Sequence, residues 1–157
     1  MANILWIDND RVFLNPFVSR LKRANHTPVH VRTVQEGEEY LNSPEKALGP
    51  AGGWHLVLID VMMSVPPTAE TCEAYSAEAT RQGRRAGVVF YERNRARIAE
   101  LGAVAAFPTM RGDDDIRQEL IDLGVPHANI VYKMDLPDTR EFLAWVEGLL
   151  AVRKGNE

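Results

Sequence analysis

The chain of 157 residues has a single cysteine, Cys72, which excludes an intrachain disulfide and suits a reducing compartment. No apolar run approaches the ~20 residues that a membrane-spanning helix requires. A basic surplus is also missing. Lys and Arg number 18 against 22 Asp and Glu, and the net charge of −4 argues against a sequence-independent nucleic-acid binder, which carries a basic face. The four histidines, His26, His30, His55 and His127, fall at no spacing used by zinc sites. Acidic residues arrive by Asp8, so the N-terminal stretch does not read as a signal peptide. These absences together predict a cytoplasmic protein with no membrane association and no direct nucleic-acid partner. The composition is that of a globular domain, and a chain of this length buries roughly 70% of its unfolded surface without staples. One domain over 1–153 is expected, with a solvated tail at 154–157.

The pattern of apolar residues alternates between two element types. Residues 4–7, 56–59, 104–107 and 130–132 read as strands, with 56–59 the strongest signal, and 28–31 as a short, weak one. Between them, Phe13, Leu14, Phe17, Val18 and Leu21 recur at helical spacing, with Asn15-Pro16 as the expected cap and first helical residue. Further helices are expected at 34–41, 87–101 and 136–152, and another starts at Asp113-Asp114-Asp115, where acidic residues suit the helix macrodipole. Residues 44–53 read as a Pro/Gly loop. The segment 63–85 is polar and carries Pro66-Pro67 and Gly83, with a helical hint only at 71–81. Strands alternating with helices predict a parallel sheet covered on both faces, an α/β doubly wound fold.

In open sheets of this kind, ligands gather beyond the carboxyl ends of the strands. Asp8 follows the first strand, Asp60 the third, Thr109 the fourth and Lys133 the fifth. Their convergence would place two carboxylates together, and each would raise the other's pKa unless a cation offset them. Lys133 supplies one such charge, and a hard cation such as Mg²⁺, which prefers oxygen ligands, could supply another. A carboxylate held ionised in this way can attack phosphorus. Taken singly, each residue has an ordinary reading as a cap, a turn or a surface group; it is their occurrence on successive strands that points to a shared site.

These residues resemble the receiver domain of bacterial two-component response regulators. "ILWIDND" is similar to the family's first-strand acidic motif, and "LVLIDVMM" to the strand carrying its phospho-accepting aspartate. "AGVVFYERNR" resembles the helix that follows, while "FPTM" and "IVYKMDLP" resemble the threonine and lysine motifs. The resemblance implies a flavodoxin-like five-stranded sheet in the order 2-1-3-4-5, with 63–85 as an inserted loop after the third strand. It implies Asp60 as phosphoacceptor, Thr109 and Lys133 as its phosphoryl-contacting partners, and Mg²⁺ held by Asp8, Asn9, Asp60 and the backbone carbonyl of Met62. The implied role is a stand-alone switch. It would take a phosphoryl group from a sensor histidine kinase or a histidine phosphotransfer protein, act on a separate downstream protein, and catalyse nothing beyond transfer and hydrolysis at Asp60.

Several positions depart from the family pattern. Asn9 stands where a second acid is usual, which weakens the cation site. Met110 follows Thr109 in place of a small residue. Met134 replaces the proline after the lysine, and Ile130 replaces the switch aromatic. The inserted loop leaves the sheet beside Asp60 and reads as a lid or partner-specific segment. Two other readings compete. One is a non-phosphorylated, receiver-like protein-binding module. The other rests on "IDNDRV", which is similar to the nucleophile motif of haloacid-dehalogenase-type phosphatases and would make Asp8 the nucleophile and Asp10 the acid/base. The helix at 136–152 offers a face for a homodimer.

Overall fold

The computed structural model describes residues 1–49, 52–63, 73–110, 114–136 and 138–155. Five strands form one parallel sheet: β1 (Asn3–Ile7), β2 (Thr27–Val31), β3 (Leu56–Ile59), β4 (Val104–Thr109) and β5 (Ile130–Tyr132). Their order is β2-β1-β3-β4-β5, as expected. The helices are α1 (Arg11–Arg23), α2 (Val34–Leu41), α3 (Ala86–Glu100), α4 (Asp114–Asp122) and α5 (Thr139–Gly155).

Successive side chains of a strand point to opposite faces. In β1, Leu5 and Ile7 join one core while Ile4 and Trp6 join the other; in β3, Val57 and Ile59 oppose Leu56 and Leu58 in the same way. The first core takes Val34 and Leu41 from α2, Phe90 from α3 and Leu120 from α4. The second takes Leu14 and Leu21 from α1 and Phe142, Val146 and Leu149 from α5. Trp6 stacks on Phe142 at 5.0 Å between ring centroids, and Phe17 meets the same ring edge-on at 5.1 Å. Both faces of the sheet are therefore covered by apolar side chains, which leaves the ends of its strands for polar ones.

Element boundaries differ from expectation in ways that have local causes. α1 begins at Arg11, well before Asn15-Pro16, because Asp10 caps it, accepting the Phe13 N–H at 3.0 Å. Pro16 lies inside the helix, and the buried Leu14 and Leu21 outweigh the one backbone bond it removes. β4 continues through Pro108 to Thr109, since β3 has already ended and only β5 runs alongside there. α5 starts after Asp138, whose carboxylate accepts the N–H groups of Arg140 and Glu141, and it runs on through Lys154 to Gly155. α4 starts at Asp114; Asp113 lies outside the described residues.

The inserted segment is only partly described, 64–72 lying outside the described residues. The rest is docked. In place of the helical hint at 71–81 there is a short 3-10 turn, Glu73–Tyr75, followed by consecutive turns up to α3. Tyr75 is fully buried and its hydroxyl donates to Glu38 on α2, which also accepts from Arg93 and Asn94 of α3. Burial pushes the Glu38 carboxyl up, but these hydrogen bonds outweigh it and hold the group below its ordinary value.

Candidate functional site

Asp8 and Asp60 stand side by side because Ile7 and Ile59 are register partners on adjacent strands. The backbone fixes both exits: the Asp60 N–H donates to the Ile7 carbonyl at 2.9 Å and the Asp8 N–H to the Val31 carbonyl at 3.0 Å. Lys133 arrives from the end of β5, with Nζ over the Phe13 ring, 5.3 Å from its centroid. Nζ lies 2.5 Å from Asp8 Oδ2 and 3.6 Å from Asp60 Oδ2. Thr109 closes β4 on the same edge of the sheet. All four side chains are buried, from 0% exposure at Asp8 to 6% at Lys133.

The two carboxylates are held differently. Asp8 uses Oδ2 for Lys133 and Oδ1 for the Asp10 N–H at 2.9 Å. Asp60 Oδ1 has no hydrogen-bond partner among the described residues. Burial pushes the Asp60 pKa up from 3.8 to about 7. Lys133 opposes this shift, the Asp8 charge adds to it, and the backbone N–H groups of Met62 and Val61 again oppose it.

The oxygen donors expected to hold a hard cation divide into two groups. Asp8 and Asp60 are buried and adjacent, whereas Asn9 and Met62 are exposed. Asp10 is occupied in capping α1. Among the described residues no three His, Cys, Asp or Glu side chains form a metal-binding group. The chemistry of the site still fits such an ion. Two carboxylates against one ammonium leave uncompensated negative charge, and a buried carboxylate oxygen lacks a partner among the described residues.

Two contributors went unnoticed in the sequence. His30, one residue before the end of β2, donates from Nε2 to the Asp8 backbone carbonyl at 2.5 Å. Its only signal is a histidine near the carboxyl end of the edge strand beside β1. Gly87, in the first turn of α3, brings helix backbone against the β3 exit. A Cβ there would lie 2.2 Å from the Asp60 carbonyl oxygen, and its N–H donates to the Val61 carbonyl at 2.9 Å. Of the departing positions, Ile130 is buried, while Met110 and Met134 are exposed.

No family model matches the sequence, and no curated protein does. Solved structures do match the fold. A response regulator receiver domain protein from Methanospirillum hungatei aligns with a TM-score of 0.70 at 14% identity, over 100% of this chain and 99% of that one. The signal receiver domain of an HD domain-containing protein from Pseudomonas fluorescens gives 0.68 at 16% identity, over 97% and 96%. A response regulator from Thermotoga maritima gives 0.64 at 14%, over 96% and 99%. Identities this low speak to architecture, and on that ground the chain has the fold of the response-regulator receiver domains.

Proposed function

We propose that this protein is a phosphorylation switch in which Asp60 accepts a phosphoryl group from a phosphohistidine on a kinase or phosphotransfer protein. The observation that carries the reading is the pairing of Asp60, one of whose oxygens has no partner among the described residues, and Asp8, clamped by Lys133, at neighbouring strand exits. An Asp60 oxygen attacks phosphorus, the P–O bond forms as the P–N bond breaks, and the imidazole nitrogen leaves with the electron pair. Lys133 lies within reach of the oxygens that gain charge, and the Thr109 hydroxyl closes the same edge. A Mg²⁺ ion bound by Asp8, Asp60, the Asn9 amide and the Met62 carbonyl would supply further charge neutralisation. Water attack on phosphorus later returns Asp60 to its free form.

A downstream protein partner would read the phosphorylated form. The phosphatase reading centred on Asp8 is disfavoured, because Asp10, its required acid/base, is bound to the Phe13 N–H at the start of α1. The test is intact-mass analysis after incubation with acetyl phosphate and Mg²⁺. One added phosphoryl group is expected, absent in Asp60→Asn. A wild-type protein that gains none, and also binds no beryllofluoride with Mg²⁺, contradicts the reading and favours the binding-module alternative.

A further inference from the structure

The base of the insert lies directly against the turn that follows Asp60. The Met63 N–H donates to the Gly83 carbonyl at 3.1 Å and the Gly87 N–H to the Val61 carbonyl at 2.9 Å, so residues 83–87 run beside 61–63. Arg81, Gln82 and Gly83 all have left-handed backbone, with φ of 49°, 58° and 88°. For two consecutive non-glycine residues this is an unfavourable conformation that the surroundings must enforce. Thr80 enforces it, its hydroxyl accepting the Gly83 N–H and its carbonyl the Arg85 N–H. The tight turn aims three arginines from a span of five residues.

Two of the three are committed. Arg85 binds Glu119 of α4 through two nitrogens and the Ala79 carbonyl through a third, and Arg81 lies 3.8 Å from the same Glu119 carboxylate. The third, Arg84, makes no side-chain hydrogen bond or ion pair among the described residues. It lines a cavity with Val61, Met62, Thr109, Arg117 and Ile130. That cavity opens between Thr109 and the residues immediately after Asp60. On the other side of the site, Lys133 is held closer to Asp8 than to Asp60. A phosphoryl group on Asp60 adds charge that Lys133 alone is poorly placed to offset.

We propose that Arg84 is a phosphoryl-binding side chain supplied by the insert, contacting the group on Asp60 from the cavity beside Thr109. This rests on the reading of Asp60 as phosphoacceptor. A planar guanidinium can engage two phosphoryl oxygens at once, which an ammonium cannot. Because the adjacent Arg85 is fixed to Glu119, movement of Arg84 toward the phosphoryl group would be felt at α4.

The test is the affinity for beryllofluoride, a phosphoryl mimic, with Mg²⁺, measured by calorimetry and fluorine NMR on wild type, Arg84→Ala, Arg84→Lys and Arg81→Ala. Arg84→Ala is expected to weaken binding about tenfold or more, as loss of a charge-assisted hydrogen bond does. Arg84→Lys should restore part of it, and Arg81→Ala should stay within about twofold of wild type, since its charge faces Glu119. Melting temperatures are measured alongside, and Arg84 is exposed, so they should barely change. Wild-type binding with no loss in Arg84→Ala overturns the proposal and leaves the Asp60 reading intact. Equal losses in Arg84→Ala and Arg81→Ala overturn it too, showing a general effect of positive charge. Absence of binding in wild type defeats the Asp60 reading, and the proposal with it.

Discussion

The exits of β1 and β3 present the same residue type in adjacent register, yet the two aspartates are in different states. Asp8 is fully buried with both oxygens engaged, one by an ammonium and one by a backbone N–H. Asp60 lies farther from that ammonium and keeps one oxygen free of any hydrogen bond among the described residues. Burial raises its pKa to about 7, so near neutrality it sits between its two protonation states. An identical side chain is therefore fully engaged at one exit and, in the proposed function, is left available for reaction at the next. What separates them is the position of Lys133, which comes from a strand two places away from β3 in the sheet.

Removing Lys133 breaks this contrast most severely. Lys133→Ala leaves two buried carboxylates without their cation, and a loss of about 3–5 kcal/mol is expected from urea denaturation near neutral pH. Gly87→Ala disturbs only the β3 side. Its Cβ must displace backbone at Asp60, at a cost of about 1–3 kcal/mol, with slower phosphoryl uptake as the distinguishing sign. Asp10→Ala disturbs only the β1 side: loss of the α1 cap costs about 1 kcal/mol, and phosphoryl uptake should persist if Asp10 is no part of the chemistry.

The effect most diagnostic of Asp60 is read as a pH dependence and not at a single pH. Its pKa is raised on folding, so the folded state binds this proton more tightly than the unfolded one. The associated stability is fully present below the unfolded value of 3.8 and is lost as pH rises through about 7. In metal-free protein, Asp60→Asn should therefore gain stability relative to wild type as pH rises across that window, read from melting temperatures. A flat difference would mean that burial does not control this carboxylate.

Much of this arrangement was legible in the sequence, because strand periodicity is local and the rule about strand ends is topological. That is enough to bring Asp8, Asp60, Thr109 and Lys133 to one edge of the sheet. What periodicity cannot supply is the division of labour among them. The Asp8–Lys133 contact spans 125 positions and depends on the path of a side chain past Phe13. Asp10 could have served the site or the helix, and only the Phe13 N–H decides it. Pro16 looked like a helix start because propensity sees the ring and not the core contacts of Leu14 and Leu21. The insert read as polar and loop-like, yet Tyr75 and Thr80 are buried by contacts to distant helices or to the insert's own backbone.

The most direct test of the central claim locates the phosphoryl group. After phosphorylation with acetyl phosphate and Mg²⁺, borohydride reduces an aspartyl phosphate to homoserine, which peptide mass mapping assigns to a position. Homoserine at position 60, with Asp8 intact, is the predicted result. Homoserine at position 8 would contradict the account, since it would make the clamped carboxylate the nucleophile and leave the free one idle.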